Sequence, residues 1–492
     1  MITQRDLEAH LWGAATLLRG KIDASDYKQF IFPLMFFKRI SDVWDEEFEG
    51  AKEASGGDLA FAALKENHRF QIPTGHHWDD VRAVTVGVGQ AIQAALRALE
   101  QANPKTLEGI FGDAPWTNKE RFSDATLVAL LDHFSRVRLD NANVPHDQLG
   151  NAYEYLIRQF ADDSGHTAQE FYTNRTVVHL MTRVAGLKSG ESVYDPTIGT
   201  GGLALNGVLG LRDQGQEWRN VKVYGQEVNL ITSGIARMNM FLHGIEEFHI
   251  ARGDTLAEPA FLDEGGLQTF DVVLANPPYS IKRWNRERFA ADPYGRNLYG
   301  TPPQGNADYA FLQHIIASMN ATGRAAVLFP HGVLFRDAEA EMRRKILEDD
   351  LIEGVIGLGP NLFYNSPMEA CVLVLNRSKP AQRRGQVVMV DGKHQVTRQQ
   401  AYSFLSPENE AKLLGAWREP DQHPDIARVV SLEEIAGQKF SLSIPLYLYQ
   451  GQDGLQSHDV QVAVSTWRES RATLQGQTAT LFDLLQEASH AD

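Results

Sequence analysis

The sequence has little of what marks several large classes of protein. It holds one cysteine, Cys371, among 492 residues, which excludes a disulfide framework and any zinc or iron–sulfur site built on cysteine ligands. Its longest apolar run, residues 30–37, is interrupted by Pro33 and is too short to cross ~30 Å of hydrocarbon. No GxxxxGK[ST] phosphate loop and no GxGxxG fingerprint occurs, and the N-terminal residues lack a signal-peptide pattern. We therefore expect a cytoplasmic chain without a membrane span.

Positive charge is also scarce. The chain has 47 Lys and Arg against 63 Asp and Glu, a formal net charge of −16. A chain of this sign is repelled by a phosphate backbone unless its basic residues are clustered or a partner supplies the basic surface. The overall charge therefore argues against unaided binding to nucleic acid.

The apolar spacing divides the chain into three zones. Residues 1–145 repeat apolar side chains at spacings of three and four, which predicts a helical N-terminal domain. In residues 146–380, short β-branched runs alternate with helical segments, which predicts an α/β fold with a doubly wound, mostly parallel sheet. Residues 381–492 predict a C-terminal helical extension that docks on another surface, with a polar helix over 460–488. The predicted strands are 192–195, 221–225, 248–254, 270–276, 325–330, 354–358 and 370–376.

The strongest motif is Asn276-Pro277-Pro278-Tyr279, which directly follows the apolar strand FDVVLA. Two prolines cannot extend a central strand, so the strand must end in a rigid elbow. The Asn276 side chain and the Pro277 carbonyl offer two acceptors, which suit the two hydrogens of an exocyclic amine. Tyr279 adds a planar face on which a flipped base can stack. The alternative is an Asn-Pro turn followed by a buried tyrosine.

A second motif, DPTIGTGG over 195–202, stands between the first predicted strand and a helix. Its glycines let the backbone approach a ligand closely. The motif contains no lysine, which a phosphate-binding loop would need. Asp195 beside such a loop suits a ligand with a cationic amine, and S-adenosylmethionine fits this description. Glu227 and Asp254 follow the next two strands, from which carboxylates can reach ribose and base groups. The alternatives are a ligand-free glycine turn and helix-capping acids.

The segment Gln169–Arg175 precedes the first strand and the helix TVVHLMTRV. Its aromatic residues, followed by Thr173, predict a lid over the cofactor with Thr173 as the N-cap of the helix. An ordinary capped helix with aromatic core residues would show the same pattern.

Together these elements resemble the N6-adenine DNA methyltransferases and, more narrowly, the modification (M) subunits of type I restriction-modification systems. The resemblance extends over nearly the whole chain. The stretch LWGAATLLRGKIDASDYKQFIFPLMFFKRISD is similar to the family's helical N-terminal domain, and DPTIGTGG, GQEVN, GDTL, NPPY and FPHGVLF follow in the family's order. Asn174 departs from the family, which usually has proline at this position.

The resemblance implies the S-adenosylmethionine-dependent methyltransferase fold and methyl transfer to adenine N6 in double-stranded DNA, without a metal. Residues implied to bind S-adenosylmethionine are Glu170, Phe171, Tyr172, Thr173, Asn174, Arg175, Asp195, Gly199, Thr200, Gly201, Gly202, Glu227 and Asp254. Asn276, Pro277, Pro278 and Tyr279 would hold the flipped adenine. The implied partners are a specificity subunit, on which residues 381–492 would dock, a second copy of the chain and a restriction subunit, in a bacterial or archaeal cell.

The stretch 281–300 bears on the charge deficit. It contains five basic residues, of which we predict that Lys282, Arg283, Arg286 and Arg288 contact DNA, and aromatic residues are interleaved with them. Such a pattern beside the elbow suits contact with a nucleic-acid backbone and stacking on bases. A solvated insertion ordered only by its packing is the alternative.

Two rival functions share most of these features. An Asn-Pro-Pro elbow also suits methylation of RNA or of a protein glutamine amide, although the long helical preface favours the DNA enzyme. A non-catalytic assembly subunit could retain the fold, but it would not need Asp195, the loop glycines, Asn276 and Tyr279 together.

Overall fold

The computed structural model describes residues 2–163, 173–362, 369–399 and 402–448. Within these ranges, no helix has both the length and the apolar character needed to cross a membrane. The predictions for Glu170, Phe171, Tyr172 and the helix over 460–488 fall outside the described residues.

The N-terminal zone is helical, as its apolar spacing predicts. Its long helices share one apolar core, which also takes in Ile235, Met238 and Phe241 from a later helix, α11 Leu230–Leu242. The helical zone is therefore packed directly onto the rest of the chain. Its helices are α1 Gln4–Leu18, α2 Lys28–Ala54, α3 Leu59–Ala62, α4 Trp78–Arg82, α5 Val88–Ala102, α6 Pro104–Leu107 and α7 Asp124–Phe134. Helix α8 His146–Asp163 packs in the same core, so the helical zone extends past the predicted boundary at residue 145.

The remainder is built on one mixed sheet of nine strands. These strands are β1 Ser192–Asp195, β2 Lys222–Glu227, β3 Phe248–Arg252, β6 Phe270–Ala275, β7 Met319–Pro330, β8 Ile352–Leu358, β9 Ala370–Asn376, β10 Gln386–Gly392 and β13 Ala427–Ser431. Their order in the sheet is β13-β10-β8-β9-β7-β6-β1-β2-β3. Strand β9 is antiparallel to β7 and β8, and β13 is antiparallel to β10, whereas all other neighbouring pairs are parallel. Two hairpins, β4 Leu262–Asp263 with β5 Gly266–Leu267 and β11 Thr397–Gln399 with β12 Tyr402–Phe404, lie outside it.

Helices cover both faces of this sheet. Successive strand residues point to opposite faces and pack in two separate apolar clusters. Val193 and Val272 belong to one cluster, and Tyr194 and Val273 to the other. The sheet is therefore doubly wound, in agreement with the predicted fold class. The helices of this part are α9 Arg175–Ala185, α10 Gly202–Asp213, α11 Leu230–Leu242, α12 Arg286–Ala290, α13 Asp308–Ala317, α14 Ala340–Glu348, α15 Pro407–Arg418, α16 Leu432–Gly437 and α17 Pro445–Leu448.

All seven predicted strands lie in the sheet, but the sheet continues beyond residue 380, where the sequence placed the end of the methyltransferase domain. Strand β10 pairs with β8, and β13 pairs with β10 at the sheet edge. Residues 381–431 therefore belong largely to the α/β domain and not to a separate extension. The apolar run 387–390 is typical of a buried strand, here β10. The basic, glutamine-rich residues before it led to the prediction of a domain boundary instead.

Candidate active site

The candidate site lies where the order of the strands reverses. From β1 the chain proceeds outward through β2 and β3, and then returns to the other side of β1 with β6. Strands β1 and β6 are parallel neighbours, so the residues that follow them, Asp195 at the end of β1 and Asn276 after β6, stand at the same edge. Ligands of such sheets bind in the crevice at this point.

A cavity of about 630 Å³ opens at this crevice. The predicted site residues in its wall are Thr173, Arg175, Asp195, Gly199, Thr200, Gly202, Glu227, Asp254, Asn276, Pro277 and Pro278. Among the described residues, three positions predicted to hold the cofactor or the adenine stay outside the wall: Asn174, Gly201 and Tyr279. The fold thus brings residues from four strand ends and from the start of α9 into one volume.

The glycine loop after β1 is held tightly from behind. Gly201 has φ +87°, and a Cβ there would lie 2.8 Å from the Met240 methyl group. Ile198 packs onto β2 so closely that a Cβ at Gly225 would lie 2.2 Å from its Cδ1 atom. The Asn239 side chain donates a 3.0 Å hydrogen bond to the Thr200 carbonyl. Helix α11 and strand β2 therefore set the position of the loop, and Gly201 contributes through its backbone conformation.

Two carboxylates border this loop. Asp195 is 1% exposed and accepts a 2.9 Å hydrogen bond from the Thr197 amide. Burial raises the pKa of the Asp195 carboxyl to about 8, and the charge of Glu227 adds to the effect. Glu227 accepts hydrogen bonds from the Gly199 amide at 3.1 Å and from the Asn229 amide at 2.8 Å. A nearby cation would favour the ionised form of Asp195, so these two acids suit a cationic ligand.

Asp254 lies at the exposed edge of the cavity. Its Oδ1 atom accepts hydrogen bonds from the Leu256 amide at 2.9 Å and from the Ala257 amide at 3.1 Å. The residue therefore caps its own turn and lines the cavity at the same time, so the two interpretations of this acid are compatible.

The elbow after β6 presents Asn276 in a defined orientation. Its Nδ2 group donates a 2.9 Å hydrogen bond to the Thr173 hydroxyl. Its Oδ1 atom is buried and has no hydrogen-bond partner among the described residues. Tyr279 is half-buried, and burial raises the pKa of its phenol. A buried acceptor without a partner in a cavity wall is costly unless a ligand supplies a donor.

The structure corrects the predicted N-cap of α9, which is Asn174 and not Thr173. Asn174 Oδ1 accepts a 3.0 Å hydrogen bond from the Thr176 amide, because the helix begins one residue later than predicted. Its Nδ2 group donates to the Ser403 carbonyl at 3.0 Å, so the side chain faces away from the cavity. Asparagine is a favoured N-cap, and the helix start is well defined without the proline that is usual in the family.

The helical N-terminal zone supplies one wall of the cavity, which sequence reasoning missed. Phe32 of α2 and Ile157 and Glu154 of α8 line it. Glu154 forms an ion pair with Arg175, and burial lowers the pKa of the Arg175 guanidinium to about 10. These contacts join segments far apart in the chain, so no local motif signals them.

Another missed wall residue is Val228, which follows Glu227 and is 63% exposed. A large apolar side chain open to the cavity offers a surface for a planar or apolar part of a ligand. The motif GQEVN contains the residue, but its exposure could not be foreseen.

The basic stretch beside the elbow is partly a packed structure. Arg296 is 1% exposed and pairs with Asp292 at 2.6 Å, so this cation is not available to a phosphate backbone. Two of the interleaved aromatic residues, Phe289 and Tyr299, are buried. The interpretation as an insertion ordered by packing is thus right for these three residues.

The four predicted DNA-contacting side chains differ in their surroundings. Lys282 and Arg283 are exposed. Arg286 donates a 2.7 Å hydrogen bond to the Pro302 carbonyl, and Arg288 lies 3.7 Å from Glu258. Lys282 and Arg283 are therefore the best placed of the four to meet a polyanion.

Known proteins match this chain over most of its length. The N-6 DNA Methylase family matches residues 144–454, and the HsdM N-terminal domain matches residues 7–134. The HindI type I restriction enzyme methylase subunit of Haemophilus influenzae is 32% identical over 74% of this chain and 83% of its own length. The MjaIX methylase subunit of Methanocaldococcus jannaschii is 25% identical over 90% of this chain and 84% of its own length.

The structural comparison agrees. The type I restriction-modification methyltransferase subunit from Streptococcus thermophilus superposes with a TM-score of 0.78 at 32% identity, covering 90% of this chain and 99% of that one. The match includes the helical zone as well as the sheet. The chain belongs to the N-6 DNA methylase family, and within it to the methylase (M) subunits of type I restriction-modification systems.

Proposed function

We propose that the cavity at the β1–β6 switch point binds S-adenosylmethionine together with an adenine flipped out of double-stranded DNA, and that Asn276 and Pro277 prepare the adenine N6 amine for methylation. The observation that carries this proposal is the buried Asn276 Oδ1 atom, which has no partner among the described residues. An exocyclic amine would supply the missing donor. A flipped base is the form in which enzymes reach such an amine.

The wall residues fit the cofactor. The cavity volume of about 630 Å³ lies within the ~300–1,000 Å³ that is usual for ligand sites. Glu227 places a carboxylate beside the glycine loop, and a cationic amine or sulfonium near Asp195 would lower the raised pKa of Asp195 and favour its ionised form. Val228 offers an apolar surface next to Glu227. When bound, S-adenosylmethionine supplies an electrophilic methyl group.

The elbow residues would act on the amine by hydrogen bonding. Asn276 Oδ1 would accept a hydrogen bond from one N6–H group, and the Pro277 carbonyl would accept a hydrogen bond from the other. These two bonds would draw the nitrogen lone pair out of conjugation with the ring. The nitrogen would then form a bond to the methyl carbon while the bond between that carbon and the sulfonium sulfur breaks, so that S-adenosylhomocysteine leaves and one N6 proton is released to solvent. Tyr279, next along the elbow, would stack on the base. These steps need no metal.

DNA binding would depend strongly on partners. The net charge is −16, and Lys282 and Arg283 provide only a small exposed basic patch beside the elbow. We assign sequence recognition and most of the affinity to a specificity subunit flanked by two copies of this chain, with a restriction subunit joining the larger assembly. Residues 449–492 remain the segment we assign to docking. The site of action would be the cytoplasm of a bacterial or archaeal cell.

Transfer of a labelled methyl group to DNA tests the proposal, with and without the cognate specificity subunit. Asn276→Ala should lower the rate by about a hundredfold or more while cofactor binding and assembly stay near wild type. The matched control is Asn320→Ala, because Asn320 forms a 2.7 Å hydrogen bond to Asp271 at the opposite edge of the sheet. Unchanged activity in Asn276→Ala would contradict the assigned role.

A substrate panel separates the rival activities. RNA and a glutamine-containing protein should accept no methyl group under conditions in which DNA is methylated at adenine N6. Methylation of either one in preference to DNA would replace this proposal with a rival.

A further inference from the structure

The residue that follows the elbow has an unusual backbone conformation. Ser280 has φ +52°, in the left-handed region that non-glycine residues enter at a cost. Its amide donates a 2.8 Å hydrogen bond to Asp308 Oδ1. The conformation of the turn that carries Tyr279 is therefore tied to a carboxylate on another element.

Asp308 itself is held firmly. It is 1% exposed and begins helix α13. Its second oxygen accepts a 2.6 Å hydrogen bond from Arg336, and Arg336 also binds Glu339, whose Oε2 atom lies 2.7 Å from its Nε atom. A buried carboxylate persists only when it is paired and hydrogen-bonded. Both Asp308 oxygens are thus engaged, one by a cation and the other by the elbow.

Helix α13 connects this carboxylate to the rest of the site. Tyr309 donates a 2.9 Å hydrogen bond to the Val333 carbonyl, which anchors the first turn of the helix to the segment after β7. Phe311, three residues after Asp308, lines the cavity. The helix start is consequently a rigid support beside the elbow.

We propose that Asp308 is a positioning residue for the methyl-transfer reaction, which holds Ser280 in its left-handed conformation and thereby sets the orientation of the Asn276–Tyr279 elbow. This inference rests on the proposed function of that elbow. Arg336 and Glu339 act in turn by holding the Asp308 carboxylate. None of the three needs to touch the substrate, since the effect passes through the Ser280 amide.

The first test is Asp308→Ala in the chain assembled with its cognate specificity subunit. We expect kcat, at saturating cofactor and DNA, to fall tenfold or more, while the dissociation constant of S-adenosylmethionine changes less than twofold. Asp42→Ala is the matched control, because Asp42 is likewise buried, pairs with Lys38 and accepts a 2.6 Å hydrogen bond from the Leu139 amide. This control should lose comparable thermal stability and keep its kcat.

The second test is rescue at Ser280. Glycine adopts positive φ without the cost that other residues bear, so Asp308→Ala/Ser280→Gly should recover about fivefold in kcat over Asp308→Ala/Ser280→Ala, a factor that corresponds to about 1 kcal/mol. If Asp308→Ala does not assemble, Asp308→Asn serves in the same comparison.

Wild-type kcat in the Asp308 variant, or equal activity of the two double variants, would overturn the inference. Failure of the wild-type complex to methylate DNA would instead count against the proposed function itself.

Discussion

The Asn276 side-chain amide donates a 2.9 Å hydrogen bond to the hydroxyl of Thr173, which precedes it in the chain by 103 residues. This contact joins the elbow after β6 to the segment that leads into α9. Because the Nδ2 group is engaged by Thr173, the buried Oδ1 atom is the acceptor that remains available to a ligand. The orientation of the Asn276 amide is therefore set by a residue outside its own motif.

Replacing Thr173 should consequently affect the chemical step. Thr173→Val keeps the shape of the side chain but removes the hydroxyl, and we expect the single-turnover rate of methyl transfer to fall roughly three- to tenfold, the worth of one hydrogen bond. Thr173→Ser keeps the hydroxyl and should stay near the wild-type rate. Equal rates for the two variants would show that this contact does not orient Asn276.

The buried Asp195 carboxyl should make stability depend on pH. Its pKa is raised from 3.8 to about 8 by burial, so between these values the folded chain binds a proton that the unfolded chain releases. Its contribution to the free energy of unfolding should therefore fall as pH rises from about 4 to about 8, by at most ~1.4 kcal/mol per pH unit, and level off above that.

Calorimetry of the chain without cofactor can detect this effect. The difference in unfolding temperature between Asp195→Asn and wild type should increase from pH 5 to pH 8, in favour of the variant, because the amide has no charge to bury. A difference that is constant across this range would mean that Asp195 keeps an ordinary pKa in the folded chain.

The basic stretch should divide into residues that bind DNA and residues that support the fold. Lys282→Gln with Arg283→Gln should weaken DNA binding by the assembled complex and reduce its logarithmic salt slope by about 2, since each cation neutralises one phosphate. Titration of labelled DNA at several salt concentrations measures both quantities.

The control for this experiment is Arg219→Gln with Lys412→Gln, which removes one exposed and one half-buried cation elsewhere on the surface and should leave the salt slope unchanged. Arg296→Gln, by contrast, should lower the thermal stability, because it leaves Asp292 buried without its partner. Equal slopes for the wild type and the Lys282/Arg283 variant would remove these residues from the DNA interface.

Local patterns in the sequence predicted much of the fold and of the site. A run of β-branched residues ending in Asn-Pro-Pro can only be a strand that stops, and β6 ends at Ala275 as expected. The glycine loop and the acids at successive strand ends were likewise identifiable, because parallel strands place their carboxyl ends at one edge. These features depend on residues that are neighbours in the chain.

The predictions that failed depended on contacts between distant segments. The sequence placed Arg296 in a basic DNA-binding stretch, whereas its pairing with Asp292 and its hydrogen bond to the Thr255 carbonyl bury it. Strands β10 and β13 were also not predicted, and their pairing shows that they belong to the sheet. Burial and strand pairing are decided by the whole fold, and local propensity does not contain them.

By itself, then, the sequence determined seven of the nine strands of the main sheet, where the elbow and the glycine loop stand, and the chemistry they can offer. Tertiary structure alone decided that Thr173 orients Asn276, that Asp308 holds Ser280 and that Asp195 is buried enough to raise its pKa. The physical reason is that motifs follow from covalent geometry and hydrogen-bonding capacity along the chain. Orientation, desolvation and electrostatic coupling arise only when remote segments pack together.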